Sequence, residues 1–100
     1  MREDRQRLDK WLWFARFAKS RTLAAKLVAS GFVRVNGDRV ENAAKALAIG
    51  DVVTLALART TLVVRVEALG ARRGPPPEAR TLYTDLGRDD GALVSADGSG

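Results

Sequence analysis

The residues of this chain that could do chemistry are cations, and most of them lie near one end. Residues 1–40 hold ten of the seventeen lysines and arginines but only four acidic residues, in a chain whose net charge is +5. A local excess of positive charge is typical of a surface that binds a polyanion such as nucleic acid. The alternative is a basic surface that is simply solvated, and charge alone does not separate the two.

Other chemistries lack their residues. The 100 residues include no histidine and no cysteine, which excludes disulfides, thiolate or imidazole metal ligands, and Cys–His or Ser–His catalysis. The glycines form neither of the two common phosphate-binding loop motifs. Asp9 has no base or nucleophile beside it, so we interpret it as a helix-dipole or salt-bridge residue. We therefore expect a protein that is not an enzyme and that has no cofactor and no metal.

Two helices would position the cations. Four apolar residues recur at the spacing of one helical face: Leu8, Trp11, Leu12 and Ala15. This stripe predicts a first helix from residue 7 to about residues 18–19, with Arg7 and Lys10 on one face near its start. Trp11 belongs to the predicted core. Trp13 lies off the stripe and could either face RNA or cover a C-terminal helix.

The second helix is predicted from residue 21 to about residue 29, because Ser20 is a favoured N-cap. Its predicted buried residues are Leu23, Ala24, Leu27 and Val28. Gly31 follows as the left-handed residue that ends the helix. Because the free N–H groups of a helix N-terminus favour phosphate, Lys19, Ser20 and Arg21 could form a phosphate seat. The alternative is an ordinary N-cap between exposed charges.

A β-hairpin is the strongest local prediction. Residues 32–35 and 38–40 flank Asn36-Gly37, the preferred pair for a type I′ turn, in which both central residues need positive φ. A two-residue loop sets the register, placing Val33 opposite Val40, Arg34 opposite Arg39 and Val35 opposite Asp38. The two arginines then share the outer face. Like charges placed opposite are mildly destabilising, which is simpler to explain if an anion normally lies across them.

The rest of the chain predicts a small antiparallel sheet and a C-terminal segment. Residues 41–50 look like a connector, and residues 51–57 and 61–66 alternate as an antiparallel strand pair, with Val53, Leu55 and Leu57 on one face. Three prolines from residue 75 break regular structure, and residues 78–86 have the spacing of a short amphipathic helix. We therefore expect a domain over residues 1–70, a linker and docking helix over 71–86, and a disordered acidic tail over 87–100.

The location follows from what the sequence lacks. No apolar run approaches the roughly 20 residues that span a membrane. The first residues show no secretory signal. We expect a cytoplasmic protein with no membrane partner, and a monomer.

Four blocks of sequence, in order, resemble a known RNA-binding domain. They are Arg7–Leu12, Ser20–Ala24, Gly31–Gly37 and Gly50–Val53, and they resemble the S4 domain named after a ribosomal protein. Further segments indicate one family among the proteins that contain this domain: the longer string Arg7–Phe17, and the pairs Arg72-Arg73, Glu78-Ala79 and Leu82-Tyr83. Together they are similar to the ribosome-associated heat shock protein 15 family, over roughly residues 7–86.

The resemblance implies a fold and a function. The fold would be α+β, of the S4 or alpha-L type, with two N-terminal helices packed on a small, mainly antiparallel sheet. The family's activity is non-catalytic RNA binding, on rRNA or tRNA of the large ribosomal subunit, which helps to recycle stalled subunits that still carry a nascent chain on tRNA. Members also bind DNA less discriminately.

Carried onto this sequence, the resemblance also implies particular residues. The candidate RNA-binding residues are Arg7, Lys10, Lys19, Ser20, Arg21, Lys26, Arg34 and Arg39. The distribution of cations over the two predicted helices adds Arg16 as a further candidate. Gly31, Asn36 and Gly37 would shape turns. Where longer members carry a basic helical extension, residues 87–100 are acidic, and such a tail could compete with RNA for the basic face.

Two other functions fit the sequence. One is an accessory RNA-binding subunit of an RNA-modifying enzyme such as a pseudouridine synthase. The other is a protein-interaction module that makes its contact through Leu82, Tyr83 and Leu86, or through Trp13.

Overall fold

Two short helices pack beside a five-stranded antiparallel sheet in the computed structural model, which describes residues 5–58 and 60–89. The elements in chain order are β1 (Arg5–Arg7), α1 (Leu8–Phe14), α2 (Arg21–Ala29), β2 (Val33–Val35), β3 (Asp38–Val40), β4 (Ala46–Ala48), β5 (Val52–Ala56), β6 (Thr61–Val66), α3 (Pro76–Ala79), a 3-10 turn (Arg80–Leu82) and β7 (Tyr83–Asp89). The sheet order is β3-β2-β5-β6-β7, and β1 and β4 form a separate antiparallel pair. The predicted α+β fold is confirmed.

The first helix is shorter than predicted. It ends at Phe14 rather than near residues 18–19, because Arg16 takes up the left-handed conformation (φ 67°). The N–H of Arg16 then donates to the carbonyl of Trp13, and that of Phe17 donates to Leu12, at 3.1 and 3.0 Å. This is the Schellman pattern of a helix end, which glycine usually makes. Because an arginine, not a glycine, occupies this left-handed position, the sequence did not indicate that the helix ends here.

The second helix begins and ends as predicted. The Ser20 hydroxyl accepts the N–H of Leu23 at 3.1 Å, and Gly31 has φ 85°. Ala24 and Val28 are fully buried, but Leu23 is 46% exposed, so its predicted place in the buried stripe was wrong. The buried face of α2 runs through Ala24 and Val28, which are four residues apart. Leu23 precedes Ala24 by one residue, which is a rotation of about 100° around the helix, so it lies off that face.

The hairpin has the predicted turn and register. Asn36 and Gly37 have φ of 54° and 88°, as a type I′ turn requires. Val33 pairs with Val40, and Arg34 pairs with Arg39. The Asn36 side chain also ties the turn to β5, because its Oδ1 accepts the N–H of Val52 at 2.9 Å. The hairpin is therefore held at the turn as well as along the ladder.

The core lies between the helices and the inner face of the sheet. Its largest fully buried side chains are Trp11, Leu8, Leu12, Leu47, Leu55, Val28, Val33, Val53, Val64 and Val66. Trp11 is in the core, as predicted, and its indole N–H donates to the carbonyl of Ala68 at 3.0 Å. Trp13 is half-buried and stacks on Phe14 with ring centroids 5.4 Å apart.

The predicted connector over residues 41–50 contains a strand. β4 pairs with β1, and Leu47 on β4 is fully buried. Three residues are too few for alternation to reveal a strand. Leu57 was also predicted on the buried face, but it follows the end of β5 and is 38% exposed.

The C-terminal segment differs most from prediction. In place of a helix over residues 78–86, the chain makes the four-residue helix α3, the 3-10 turn and then β7, which pairs antiparallel with β6. The spacing of a few apolar residues cannot outweigh the main-chain pairing that the edge of β6 offers. Residues 87–89 belong to β7 rather than to the predicted tail, and residues 90–100 lie outside the described part of the chain. Within the described residues, no helix is long and apolar enough to cross a membrane.

Candidate nucleic-acid interface

A buried carboxylate joins the starts of α1 and α2. The Asp9 side chain is only 4% exposed. Arg7 donates to it through Nε and Nη2, each at 3.1 Å, and the Nε of Arg21 lies 3.7 Å from its Oδ2. The main-chain N–H of Asp9 donates to the carbonyl of Ala43, which fixes the start of α1. Asp9 is therefore the salt-bridge residue that the sequence predicted, and it brings two arginines from different elements together.

The two arginines remain open to solvent. The side chains of Arg7 and Arg21 are 51% and 43% exposed, so part of each guanidinium can face an anion while another part holds Asp9. Arg7 lies at the end of β1 as the N-cap of α1, not within the helix as predicted. The Nζ of Lys10 lies over the ring of Phe14 instead, 5.6 Å from the ring centroid.

The contacts between Asp9 and the two arginines shift the pKa values of Asp9 and Arg7. Burial alone would raise the pKa of Asp9, but the hydrogen bonds and charge of Arg7, with the charge of Arg21, outweigh it and hold that pKa below its ordinary value. The hydrogen bond to Asp9 likewise raises the pKa of Arg7. The carboxylate thus stays ionised and keeps both guanidinium groups in place at neutral pH.

Acid should therefore destabilise the protein through Asp9. A carboxyl whose pKa is lowered on folding adds stability above its unfolded pKa of about 3.9, and this is lost as pH falls through the folded value. We expect Asp9→Asn to flatten the fall in urea midpoint between about pH 5 and pH 2. Glu67→Gln is the control. Hydrogen bonds from Thr84 and Arg65 lower the pKa of Glu67, but the pair is exposed, so the flattening should be smaller. Parallel curves for wild type and Asp9→Asn would contradict the assignment.

The start of α2 carries the second group of predicted residues. Ser20 acts as the N-cap through its oxygen, and its hydroxyl hydrogen stays available to an anion. Lys19 and Lys26 are exposed. Both line a shallow depression of about 530 Å³ on the side of α2 that also carries Leu23 and Leu27. The predicted cations of α2 therefore border two surfaces, with Arg21 toward Asp9 and the lysines toward the depression.

The hairpin arginines form a third group. Arg34 and Arg39 are cross-strand neighbours on exposed positions, as predicted. Arg34 Nη1 donates to the carbonyl of Gly37 at 3.4 Å, and Arg39 pairs with Glu41 at 3.0 Å. The Arg39 guanidinium also lies where a Cβ on Gly31 would stand. Gly31 is needed for its positive φ, whereas the guanidinium, at the end of a flexible and exposed side chain, could shift to admit a Cβ.

Two further cations were missed by sequence reasoning. Arg5 and Lys45 line, together with Arg39, a polar groove of about 520 Å³ between the hairpin and the β1–β4 pair. Acidic residues also line the groove: Asp38, Glu41 and Asp51. Neither Arg5 nor Lys45 lies in a periodic segment, so only the long-range pairing of β1 with β4 brings them beside the hairpin. Their positive charge was the one signal available.

Arg16 does not join these groups. It lies just beyond the C-terminal end of α1, and its Nε donates to the carbonyl of Gly74 at 2.8 Å. α1 is about 10 Å long, so Arg16 is separated from Asp9 by the length of the helix. Arg73 reinforces the same corner by donating to the carbonyls of Trp13 and Ala18. We assign Arg16 and Arg73 to holding the α1–α2 loop against the later chain.

The residues proposed for protein interaction are largely unavailable. Leu82 is buried, and Tyr83 packs on Phe17 with ring centroids 4.8 Å apart. Leu86 alone of the three apolar residues is well exposed, at 45%.

In the described part of the chain, no cluster of acidic residues is suited to hold a metal ion.

Comparison with known proteins places this chain in a family. The family described as S4 domain matches residues 6–53. Heat shock protein 15 of Escherichia coli K12 is 39% identical over 79 residues, which are 79% of this chain and 59% of that protein. The Haemophilus influenzae homolog is 36% identical over 85 residues, which are 85% of this chain and 64% of that protein. The chain thus spans about 60% of the length of these curated relatives.

A solved structure agrees with the sequence matches. The trimeric structure of Vibrio cholerae heat shock protein 15 superposes with a TM-score of 0.77 at 39% identity, and the match covers 82% of each chain. Sequence and fold therefore agree over most of the chain. The chain belongs to the heat shock protein 15 family, and its residues 6–53 match the S4 domain.

Proposed function

We propose that this protein binds structured RNA without catalysing a reaction on it. The observation that carries the proposal is the Asp9 cluster, in which one buried carboxylate orients two half-exposed guanidinium groups from the starts of two helices. Guanidinium groups and a helix N-terminus are well suited to bind phosphate. The match to the S4 domain covers all three members of the cluster.

The binding would rely on phosphates and on shape. Side chains do not read the deep, narrow major groove of A-form RNA, so contacts to phosphate and sugar supply most of the affinity. Arg7 and Arg21 would engage one stretch of backbone, and Arg34 and Arg39 on the hairpin another. The fixed angle between the helices and the hairpin would select the RNA by its shape.

The biological target we propose is RNA of the large ribosomal subunit, either rRNA or tRNA. The proposed role is to assist recycling of stalled subunits that still carry a nascent chain on tRNA, with weaker and less discriminate binding to DNA. This proposal rests on membership of the heat shock protein 15 family. We propose the cytoplasm as the location of this activity. We propose a monomer, but the V. cholerae relative is trimeric. Sedimentation equilibrium with and without RNA would measure the oligomeric state.

A salt titration tests the proposed function. With about five to six phosphates engaged, log K should fall with log[KCl] with a slope of about −4 to −5. The measurement is fluorescence anisotropy of a labelled RNA hairpin between about 50 and 400 mM KCl. A slope near zero would remove the electrostatic basis of the proposal.

Two variants locate the contact. Arg21→Gln should reduce the steepness of the slope by about one, because one phosphate contact is lost. Arg65→Gln is the matched control, since Arg65 on β6 is similarly exposed but pairs with Glu67 instead of Asp9. Equal slopes for the two variants would show that the contact lies elsewhere.

A further inference from the structure

Three large apolar side chains are exposed together at one end of the sheet. Leu23 on α2, Phe32 before β2 and Leu57 after β5 are 46%, 50% and 38% exposed. With Leu27 they line the shallow depression of about 530 Å³ described above. Leu27 packs partly against the core, but Leu23, Phe32 and Leu57 do not, so the depression is an apolar surface with no partner among the described residues.

The backbone holds Phe32 rigidly while leaving its ring in solvent. The N–H of Phe32 donates to the carbonyl of Leu27 at 3.3 Å, and its carbonyl accepts the N–H of Ala56 at 2.8 Å. The next residue, Val33, points into the core and is fully buried. An aromatic ring projecting from a backbone fixed on both sides is preorganised for stacking.

The charge around the ring has one sign. Lys19 and Lys26 line the depression, no acidic residue does, and within the described residues neither lysine forms an ion pair. On its other side, Phe32 shares a smaller depression on the outer face of the sheet with Arg34. The apolar ring thus lies between lysines on α2 and an arginine on the hairpin.

We propose that this surface binds an unpaired nucleotide of single-stranded RNA. The base would stack on Phe32 beside Leu57, and the flanking phosphates would reach Lys19 and Lys26 on one side and Arg34 on the other. Alternation of an apolar ring with cations matches the alternation of base and phosphate along a single strand. A peptide fits less well, because the N–H and carbonyl of Phe32 are already paired and offer it no main-chain partner.

This inference rests on the proposed function and extends it. The Asp9 cluster would bind the backbone of structured RNA, and the Phe32 surface would bind a strand that leaves it. The preferred substrate is then a duplex with a single-stranded extension rather than a blunt duplex.

The test compares two RNAs on the full chain. One is a blunt hairpin, and the other is the same hairpin with five unpaired uridines added. We expect the extension to tighten binding by about five- to tenfold. Phe32→Ala should abolish this gain and leave the affinity for the blunt hairpin unchanged, while Phe32→Tyr should keep it. Leu86→Ala is the matched control, because Leu86 is similarly exposed on β7 and should leave the gain intact.

Each outcome supports or overturns the inference. Crosslinks from 4-thiouridine in the extension that map to Phe32 would support it, and crosslinks mapping only to other surfaces would overturn it. If the blunt hairpin binds with the expected salt slope and the extension adds nothing, this inference is wrong and the proposed function stands. If neither RNA binds, both fail. If Phe32→Ala changes self-association or protein binding instead of the gain, the surface is a protein contact and the inference is overturned.

Discussion

Replacing Trp11 with alanine should lower the free energy of unfolding by about 3–5 kcal/mol. The indole is fully buried between the helices and the sheet, so its removal leaves a cavity that neighbouring side chains can fill only in part. The indole N–H also donates to the carbonyl of Ala68, which links α1 to the chain after β6. Alanine would leave that partly buried carbonyl without its partner.

Urea unfolding followed by circular dichroism would measure the loss. Because small domains have little stability to spare, Trp11→Ala could prevent folding altogether, so Trp11→Phe is the second variant. It keeps most of the ring and removes the hydrogen bond, and it should cost about 1–3 kcal/mol. Trp13→Ala is the matched control. Its ring is only half-buried, so its loss should be the smallest of the three, and a larger loss than for Trp11→Ala would contradict the assignment of the core.

Elements governed by local rules could be predicted from the sequence. The cap at Ser20 predicts where α2 begins, and Gly31 predicts where it ends, because each acts on backbone groups within a few residues. Asn36-Gly37 predicts the hairpin and its register for the same reason. In each case the information lies next to the structure that it determines.

Elements held by distant partners could not be predicted. β7 is a strand because β6 has an open edge beside it, and β4 is a strand because β1 lies alongside. The early end of α1 depends on Arg16, whose side chain is held by the carbonyl of Gly74, 58 residues later. No local pattern reports such contacts.

The candidate site shows the same division. The sequence predicts which residues are cations, but not which of them meet. Arg7 and Arg21 meet because the buried Asp9 attracts both, whereas Arg16 is drawn to another part of the molecule. Arg5 and Lys45 reach the hairpin only through the pairing of β1 with β4. Phe32 lies in the predicted strand segment, and the fold shows that its side chain is exposed beside the lysines of the α2 surface.

Asp9→Asn should weaken RNA binding by roughly ten- to a hundredfold, although it makes the protein more positive. Charge alone predicts the opposite, since removing an acid beside two arginines increases the attraction for phosphate. The structure predicts a loss because Asp9 orients both guanidinium groups through charge-assisted contacts at 3.1 and 3.7 Å. An asparagine has one acceptor oxygen, and its NH₂ group would face guanidinium donors. At least one arginine would then leave its position.

Glu78→Gln separates the two explanations. It removes one negative charge from an exposed pair with Arg72 on α3, not at the starts of α1 and α2. Charge alone predicts that Glu78→Gln and Asp9→Asn both bind RNA as tightly as the wild type or slightly more tightly. If Asp9 orients the two arginines, Asp9→Asn should weaken RNA binding while Glu78→Gln does not. Arg7→Gln or Arg21→Gln should also reduce the RNA affinity less in the Asp9→Asn background than in the wild type. The affinity of each variant for the RNA hairpin, measured at one salt concentration, distinguishes the two explanations. Tighter binding by Asp9→Asn would mean that the buried carboxylate serves the fold alone, and that the basic surface acts through its net charge rather than through two aligned side chains.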